Sequence, residues 1–280
     1  MDEPILVVIV NYFLARHIDR LLNSGALEGH RVLLVDNDSE PERVRETAEA
    51  HGAELLLLDR NFGFAGAVNR GIAHAGEHGP VLLLNPDVSV DAEDLARLRL
   101  ELTARHVTGV TPLLVNLDGS LQVGTAGGPF TLRGFIGYFL FLGHVLPAAR
   151  GVFFTPRQLV GEVPPRWACM ACLMLDGAAF HRYGPLPEFE LMYGEDVAWG
   201  WAASRAGASF AIASDVRVVH AQGAAGASWR WTGALRRLAV RELGPVRGRI
   251  AVAAMWAGLE IRRLTRPGAR GRPIRAVRPG

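Results

Sequence analysis

Four continuous apolar runs alternate with helix-like segments over residues 1–105. The runs read ILVVIV at 5–10, RVLLVD at 31–36, AELLLLD at 53–59 and PVLLLN at 80–85. Helical periodicity and capping signals fall near 15–23, 41–51, 65–76 and 90–104. Strands that are apolar throughout and separated by helices predict an α/β fold, in which helices cover both faces of a mostly parallel sheet.

The pattern changes after residue 105. Residues 109–123 predict a strand, a turn at Asp118–Gly119 and a second strand, whereas residues 124–165 are irregular. The remaining expected elements are a strand and a short helix at 167–184, a helix at 194–207, a strand at 209–221, a flexible loop at Gly223–Ser228, and one or two helices at 233–265. The second half of the chain is therefore organised differently from the first.

Polar residues follow the apolar runs at the positions where parallel strands would end. They are Asn11, Asp36, Asp59 to Asn61, and Asn85 to Asp87. In open parallel sheets, ligands bind beyond the carboxyl ends of the strands. The sequence therefore predicts a ligand-binding edge that is built from these residues.

Asp36 ends the second run, in LLVDNDSE. A carboxylate at this place can accept hydrogen bonds from a nucleotide base or a ribose hydroxyl. The alternative is helix capping, which explains Asp38 or Ser39 more easily, because Asp36 still belongs to the predicted strand. We therefore favour a binding role for Asp36.

Gly63 and Gly66 lie at the transition from the third strand to the next helix, in DRNFGFAGAVNRG. Such a turn can direct backbone N–H groups at a phosphate. The segment contains neither the G-K-[ST] of a Walker loop nor a clean G-x-G-x-x-G, and ordinary loops also contain paired glycines. A phosphate site and a plain loop both stay open on this segment alone.

Asp87 follows the run LLLNP, and His220 closes the last predicted strand. A strand-end carboxylate beside a diphosphate is a natural ligand for Mg²⁺ or Mn²⁺. The alternative is a simple turn with Pro86 at its second position. A lone His at a strand end is more often structural, so His220 becomes a metal-ligand candidate only if it converges with the carboxylate.

Glu195 and Asp196 open the predicted helix in ELMYGEDVAWGWA. The helix dipole favours acidic residues at this place, which is a sufficient explanation for them in isolation. The alternative is a general base, since deprotonation of a sugar hydroxyl needs a carboxylate next to the reacting centre.

Charge is distributed unevenly along the chain. Residues 230–280 contain 13 Arg and 2 Glu, whereas the preceding residues contain 17 Arg and 26 acidic residues. An Arg-rich helical end can be solvated surface, can pair with the acidic body, or can lie on an anionic membrane. We favour peripheral membrane contact. We expect no nucleic-acid binding, because no recognition motif accompanies the arginines.

No apolar stretch reaches the roughly 18 to 20 residues of a membrane-spanning helix. The longest, GFIGYFLFLGHVLP at 134–147, is too short, and the N-terminus does not resemble a signal peptide. We therefore expect a cytoplasmic location, peripheral at the inner face of the plasma membrane if the C-terminus binds lipid. The cysteines, Cys169 and Cys172, form a lone C-x-x-C that cannot supply four zinc ligands, so we expect two reduced, buried thiols.

Eight segments, taken in order, carry a family resemblance. They are VVIVNY, VLLVDNDS, NFGFAGAVNRGI, LLLNPDV, DGSLQ, RWACMACLML, LMYGEDVAW and VRVVHAQG, which extend from about residue 5 to 228. Together they resemble the family 2 glycosyltransferases with the GT-A fold, especially the bacterial rhamnosyltransferase-like branch. The resemblance implies an inverting, metal-dependent transfer of L-rhamnose or another deoxyhexose. The donor would be a dTDP- or UDP-sugar, and the acceptor a hydroxyl of a glycan, a lipid-linked sugar or a natural product.

The resemblance also implies roles for individual residues. Those that would bind the nucleotide and its diphosphate are Val10, Asn11, Tyr12, Asp36, Asn37, Arg60, Asn61, Gly63, Asn69, Asn85 and Pro86. Asn85–Pro86–Asp87 stands where the family has D-x-D, so Asp87 would be the main ligand of Mg²⁺ or Mn²⁺, and His220 would complete the metal shell. Asp196 would be the general base, with Glu195 beside it.

The same resemblance divides the chain into regions. Residues 1–105 would form the donor-binding half of one GT-A domain, and residues 106–229 its acceptor-binding and catalytic half. Residues 230–280 would form an Arg-rich helical extension and tail.

The chain departs from the family pattern at three places. Pro187 replaces an Asp before the aromatic segment, Met170 replaces a small Gly, and the usual E-D-x-D-L-x-x-R lacks its second Asp and its Arg, for which Arg205 is a candidate replacement. All three changes fall on the acceptor side, so they bear on the acceptor more than on the reaction. The alternatives are a natural-product transferase, a nucleotide-sugar-binding protein that has lost catalysis, and a basic scaffold without nucleotide affinity.

Overall fold

The structure, a computed structural model, describes residues 3–76, 78–142, 150–161, 163–221 and 228–265, with the backbone alone for 228–230. Its strands are β1 (Leu6–Asn11), β2 (Arg31–Asp36), β3 (Glu54–Leu57), β4 (Val81–Leu84), β5 (Val88–Ser89), β6 (Gly109–Val115), β7 (Ala126–Gly127), β8 (Trp167–Ala168), β9 (Cys172–Leu175) and β10 (Phe210–His220).

The helices alternate with the strands in the first half and gather at the end of the second. They are α1 (Ala15–Asn23), α2 (Pro41–His51), α3 (Gly63–Ala75), α4 (Ala92–Ala104), α5 (Leu132–Phe139), α6 (Pro156–Leu159), α7 (Ala179–Tyr183), α8 (Glu195–Arg205), α9 (Ser228–Leu243) and α10 (Pro245–Thr265). A short 3₁₀-helix covers Val123–Thr125.

One large sheet has the strand order β3-β2-β1-β4-β9-β6-β10-β5. The pairs β1–β2, β1–β4, β2–β3 and β6–β10 are parallel. β9 runs antiparallel to β4 and β6, and β5 runs antiparallel to β10. The mostly parallel sheet is therefore confirmed, and it takes strands from both sides of residue 105. β7 and β8 form a separate two-stranded sheet.

Apolar residues on both faces of the sheet form two separate cores. Val7 belongs to a core with Leu98, on the face that α1, α2 and α4 cover. Val8, its neighbour in β1, belongs to a second core with Val68 and Trp199, on the face of α3, α7 and α8. Successive strand residues point to opposite faces, so strands that are covered on both sides are apolar at every position. The expected helical layers on both faces are confirmed.

The expected second strand after Asp118–Gly119 is wrong, although the turn itself is present, with Gly119 at φ 79°. Leu121 makes only an isolated bridge with Val115, and a 3₁₀-helix follows. The side chain of Gln122 binds the carbonyl oxygen of His220. The backbone N–H of Gln122 donates to the Leu114 carbonyl oxygen of β6 at 2.8 Å, so the chain contacts both β6 and the end of β10 without forming a second strand.

The apolar run at 167–175 is divided between two sheets, because β8 pairs with β7 whereas β9 enters the main sheet. Cys169 is half-buried in the turn between them, and Cys172 is buried in β9. Both cysteines are free, and burial raises the pKa of both thiols. The reduced thiols that the sequence predicts are confirmed, with only Cys172 fully enclosed.

The C-terminal extension consists of two helices, α9 and α10, separated at Gly244, which has φ 78°. Of the loop expected at Gly223–Ser228, residues 223–227 lie outside the described residues, and Ser228 already begins α9. α10 packs against α9 and against α5. Within the described residues, no helix is long and apolar enough to cross a membrane.

Candidate active site

Asn11 and Asp36 end neighbouring strands at the same register. Both are buried, and Asn11 Nδ2 donates to Asp36 Oδ1 at 2.7 Å. The backbone N–H and hydroxyl of Ser39 also donate to the Asp36 carboxylate, and so does the backbone N–H of Glu40. Helix α2 has no side-chain cap at Glu40, so the expectation that Asp38 or Ser39 caps it is wrong. Asp36 instead organises the turn into α2, and its contact with a base stays a prediction.

Two aromatic rings project at the end of β1, where the nucleotide base is expected. Val10 is buried, whereas Tyr12 and Phe13 are exposed, with their rings edge to face at 4.8 Å between centroids. Phe13 adopts a left-handed φ of 59°, which is strained for a bulky residue. Such strain concentrates at functional sites. Sequence reasoning did not single out Phe13, because periodicity carries no signal for a positive φ.

A polar network joins the ends of β2 and β3. Asn37 Nδ2 donates to Asn61 Oδ1 at 3.0 Å, and Asn37 Oδ1 accepts from the backbone N–H of Phe62. Asn61 Oδ1 also accepts from the N–H of Gly63 at 2.8 Å. These contacts hold the turn that opens α3, and they use N–H groups that we expected to face a phosphate. Phosphate contacts of Asn37, Asn61 and Gly63 stay predictions.

Gly63 is required for close packing. It has φ 74°, and a Cβ at this position would lie 2.7 Å from the backbone of Leu191. The next residue, Phe64, donates its N–H to the carbonyl oxygen of Leu191 at 2.9 Å. The segment that leads to Glu195 and Asp196 therefore lies directly against the start of α3.

Asn69 and Arg60, both expected along the diphosphate, have different surroundings. Asn69 exchanges two hydrogen bonds of 2.8 Å with the backbone of Leu186, so it anchors the segment that contains Pro187. Arg60 is exposed, and its guanidinium lies 4.6 Å from the ring centroid of Phe62. Nucleotide contacts of these two residues stay predictions.

Asp87 and His220 converge at the edge of the sheet. The short strand β5 places Val88 opposite His220, and the N–H of Ala221 donates to the Asp87 carbonyl oxygen at 3.0 Å. As a result, Asp87 Oδ1 and His220 Nε2 are 3.5 Å apart, and both side chains are largely shielded from solvent. Asn85 and buried Pro86 form the turn that joins β4 to β5, with the Val88 N–H donating to the Asn85 carbonyl oxygen at 3.1 Å.

Gln122 holds the imidazole of His220 from the other side. Its Nε2 donates to the His220 carbonyl oxygen at 2.7 Å and to Asn116 Oδ1 at 3.0 Å. Its Oε1 lies 3.0 Å from His220 Nδ1, so the ring nitrogen that carries hydrogen is Nδ1. In the neutral imidazole, the lone pair of Nε2 then faces Asp87. Gln122 lies within the motif DGSLQ, but the sequence alone does not indicate this role.

The donor set at this point fits a divalent cation. A carboxylate oxygen and an imidazole nitrogen suit Mn²⁺, and Mg²⁺ accepts few protein ligands when phosphate and water supply the rest. Among the described residues, no group of three or more His, Cys, Asp or Glu side chains could hold a metal. Asp87 and His220 could therefore hold a cation that is shared with a diphosphate, but not a closed protein cage.

Glu195 and Asp196 begin α8 directly after Tyr193 and Gly194, which both have positive φ, at 75° and 93°. Glu195 is nine-tenths buried, and its Oε2 has no hydrogen-bond partner among the described residues. Asp196 Oδ1 accepts from the Val197 N–H at 2.7 Å. The pair lies at a helix N-terminus, as predicted, but Glu195 is buried and Asp196 half-buried, a setting that the sequence did not indicate.

Burial is the main perturbation of these two carboxyl groups. Loss of solvent raises the pKa of Glu195 to about 8, and the neighbouring charge of Asp196 adds to the effect. Burial likewise raises the pKa of Asp196, to about 6, although the Val197 N–H opposes the shift. Carboxyl groups whose pKa values are shifted toward neutrality can exchange protons near pH 7.

Helix α9 holds the segment before these carboxylates. Arg237 pairs with Glu190 through two hydrogen bonds, and the Arg241 guanidinium lies 4.9 Å from the ring centroid of Phe189. Leu238 packs beside Gly194, 3.7 Å from where a Cβ would stand. The basic extension therefore pairs with the acidic body, one of the alternatives left open above, and it does so at the candidate catalytic segment, which the sequence did not indicate.

The sheet and its polar edge define the class of protein. The fold is that of the GT-A glycosyltransferases, and it is similar to GalNAc-T7 solved with UDP, GalNAc and Mn²⁺, at a TM-score of 0.58 and 16% identity over 85% of this chain and 48% of that one. It is also similar to residues 1–349 of S. aureus TarS in complex with UDP-GlcNAc, at a TM-score of 0.56 and 16% identity over 94% of this chain and 74% of that one.

Sequence comparisons place the chain more narrowly. Residues 5–123 match the model of glycosyl transferase family 2. The chain is 29% identical to an N-acetylglucosaminyl-diphospho-decaprenol L-rhamnosyltransferase of Mycobacterium tuberculosis, over 79% of this chain and 76% of that protein. It is 26% identical to the low-salt glycan biosynthesis hexosyltransferase Agl10 of Haloferax volcanii, over 79% of this chain and 68% of that protein. These matches support a family 2 glycosyltransferase domain in residues 5–123, and over most of its length the chain is similar to a rhamnosyltransferase and a hexosyltransferase.

Proposed function

We propose that this enzyme transfers a deoxyhexose, with L-rhamnose the first candidate, from a nucleoside-diphosphate donor to an acceptor hydroxyl, with inversion. The observation that carries the proposal is the convergence of Asp87 and His220, 3.5 Å apart, at the edge where the parallel strands end. Rhamnose and a lipid-linked acceptor are supported by the name of the M. tuberculosis relative. A dTDP- or UDP-sugar is the donor class to test first.

In this proposal, the donor binds at the edge of the sheet where the parallel strands end. The nucleotide base would lie at the ends of β1 and β2, where Asn11 and Asp36 form the buried floor and Tyr12 and Phe13 project. Asp87 and His220 would hold Mg²⁺ or Mn²⁺ beside the diphosphate. The cation, when bound, neutralises charge on the departing nucleoside diphosphate.

Asp196 is the proposed general base. The acceptor oxygen attacks C1 of the donor sugar, its proton passes to the Asp196 carboxylate, and the bond between C1 and the diphosphate oxygen breaks. A single displacement of this kind inverts the configuration at C1. Because burial raises its pKa, Asp196 is a stronger base than an ordinary carboxylate and is still ionised at neutral pH.

Glu195 would assist as a neutral acid. Burial raises its pKa, which favours the neutral form of Glu195 beside the carboxylate of Asp196. Its Oε2 has no partner among the described residues, which leaves it able to hydrogen-bond an acceptor hydroxyl. Two adjacent carboxyl groups with separated pKa values are a recurring arrangement for acid and base roles.

The test is nucleoside diphosphate release from dTDP-rhamnose and UDP-sugars, with Mn²⁺ or EDTA, for the wild type and three variants. We expect Asp196→Asn to lower kcat by about 10² to 10⁴ while donor binding persists. Asp87→Ala should abolish the Mn²⁺-dependent part of donor binding. Glu46→Gln, an exposed charge change on α2, is the matched control and should behave as wild type. Full transfer by Asp196→Asn would remove the assigned base.

A second candidate is a nucleotide-sugar-binding protein without catalysis. The observation that favours it is in α8, where Ala198 and Ala202 stand in place of the family's second Asp and Arg. The same experiment separates the two functions, because this candidate would bind a nucleotide sugar and release no diphosphate with any acceptor. A small natural-product acceptor is distinguished by transfer in the absence of lipid.

A further inference from the structure

Helix α10 is apolar on two opposite faces. Its inner face contains small buried residues that allow very close packing, among them Gly248, Ala251 and Gly258. A Cβ at Gly258 would lie 2.1 Å from the carbonyl oxygen of Phe139 in α5, and a Cβ at Gly248 would lie 2.6 Å from Cα of Val240 in α9. The inner face is therefore fully occupied by the rest of the chain.

The outer face carries an apolar stripe that nothing in the described chain covers. We define the outer stripe as Val246, Ile250, Ala253, Trp256, Ala257, Ile261 and Leu264, all of which are exposed. Most of these residues recur at intervals of three and four, which places them along one side of the helix. Val246 is 68% exposed and Leu264 66%, so the stripe is accessible at both ends. Contiguous exposed apolar surface of this kind marks an interaction site.

Arginines that have no ion-pair partner among the described residues flank the N-terminal part of the outer stripe. Arg247 and Arg249 are exposed in the first turns of α10, and neither makes an ion pair within the described part of the chain. No acidic residue occupies that first turn. The helix dipole disfavours cations at an N-terminus, so these positions do not serve the stability of the helix. An anionic surface outside the protein would complement their charge.

The C-terminal part of α10 also combines exposed apolar residues with basic charge. Glu260, the acid on this side of α10, is paired with Arg263 through hydrogen bonds of 3.0 and 2.9 Å. Leu140 and Leu142 are exposed beside this end of the helix, where Arg262 covers the ring of Phe141. Residues 266–280, outside the described residues, add five Arg and no acid directly after α10. Basic charge therefore accompanies apolar surface along the whole helix.

We infer that the outer stripe is a docking surface for an anionic lipid membrane, on which α10 lies in the plane of the interface. An exposed apolar stripe with Trp and flanking arginines is the pattern of an interfacial helix. Each arginine near an anionic surface contributes about fivefold in affinity. Because α9 joins α10 to the segment before Asp196 through Glu190 and Arg237, docking would bring the active site to the membrane. Only this last step rests on the proposed function.

The test is flotation of the full chain with two kinds of vesicle, pure phosphatidylcholine and a mixture with about one third phosphatidylglycerol. We expect the wild type to bind the anionic vesicles at least tenfold more tightly, and less tightly as salt rises. The triple variant Val246→Ser, Ile250→Ser, Trp256→Ser should lose at least tenfold, and Arg247→Gln with Arg249→Gln roughly 25-fold. The matched control changes the exposed Leu100 and Leu117 to Ser and should bind as wild type.

Two results would overturn the inference. One is anionic-vesicle binding by the triple variant that equals that of the wild type. The other is a wild-type dimer in light scattering that the triple variant dissociates, without vesicle binding, which would make the outer stripe a subunit interface. Donor, acceptor and cation are absent from these measurements, and Asp87→Ala should bind vesicles normally. Failure of docking therefore leaves transfer to a water-soluble acceptor intact, and failure of transfer leaves docking intact.

Discussion

Replacement of Gln122 by Met tests whether the cation site depends on the tautomer of His220. Met preserves the length of the side chain and removes the amide. The change deletes the acceptor of the His220 Nδ1–H, at 3.0 Å, and the donor to the His220 carbonyl oxygen, at 2.7 Å. The imidazole is then free to rotate or to move its proton to Nε2, and in that tautomer Nε2 cannot bind a cation.

The magnitude follows from these contacts. Loss of the outer hydrogen bond to a metal-binding His typically lowers metal affinity 10- to 100-fold, which corresponds to about 1.4 to 2.8 kcal/mol. The buried acceptors that Gln122 serves, including Asn116 Oδ1 and the Val115 carbonyl oxygen, lose a donor as well. Each such loss costs about 1 kcal/mol or more of folding stability, so the melting temperature should fall by several degrees.

The assay is Mn²⁺ titration in the presence of a nucleoside diphosphate, with free Mn²⁺ followed by electron paramagnetic resonance. Gln122→Met and His220→Ala are measured singly and together, because a double-mutant cycle isolates their coupling. Gln158→Met is the matched control. Gln158 is also buried and hydrogen-bonded, but in the capping box of α6. The Gln158→Met variant should lower folding stability without lowering Mn²⁺ affinity.

Two outcomes would refute the reasoning. If Gln122→Met bound Mn²⁺ as tightly as the wild type, the amide would not position the imidazole for a cation. If Gln122→Met lowered affinity equally in the wild type and in the His220→Ala background, its effect would be a general loss of structure. Additivity of that kind is expected only for independent sites.

Three further changes test other parts of the structure. Asp36→Ala removes an acceptor of at least four donors and should cost about 3 kcal/mol in a urea titration; a cost below about 0.5 kcal/mol would contradict its role in the turn. Gly63→Ala should cost about 1 to 3 kcal/mol beyond Gly52→Ala, since both have positive φ but only Gly63 faces the backbone of Leu191. Glu195→Gln should gain stability relative to the wild type, by up to a few kcal/mol, as pH rises from 4.5 to about 8, because over this range the unfolded wild type releases a proton that its folded state retains, whereas Gln has none to release. A melting-temperature difference that is constant between these pH values would show that Glu195 titrates normally.

The apolar strands and their polar ends could be predicted because the signal is local. β1, β2 and β4 are buried on both faces, and only an unbroken apolar run satisfies that environment. The carboxyl ends of such strands meet at one edge, which is enough to place Asn11, Asp36 and Asp87 there. The reaction class came from the order of eight short motifs rather than from any one of them.

Other parts of the site depend on long-range contacts that no local sequence pattern predicts. The strand β5 has two residues, too few for a periodic pattern, yet it brings Asp87 to His220. The Gln122–His220 contact joins residues 98 apart in the chain. The burial of Glu195 also could not be predicted from local sequence. Acidic residues at the start of a helix normally face solvent, and Glu195 is buried only because of tertiary packing.

The sequence by itself determined the class of fold, the polar edge of the sheet and the candidate binding and catalytic residues. Each of these can be recognised from short-range periodicity or from the order of the motifs. The tertiary structure decided which of those residues meet, which carboxyl groups are buried, and which face of α10 is left exposed. A helix that is apolar on two sides does not reveal from its sequence which side will be covered. That choice is made by glycines that allow close approach, such as Gly258 against Phe139, and it depends on neighbours that are distant in the chain.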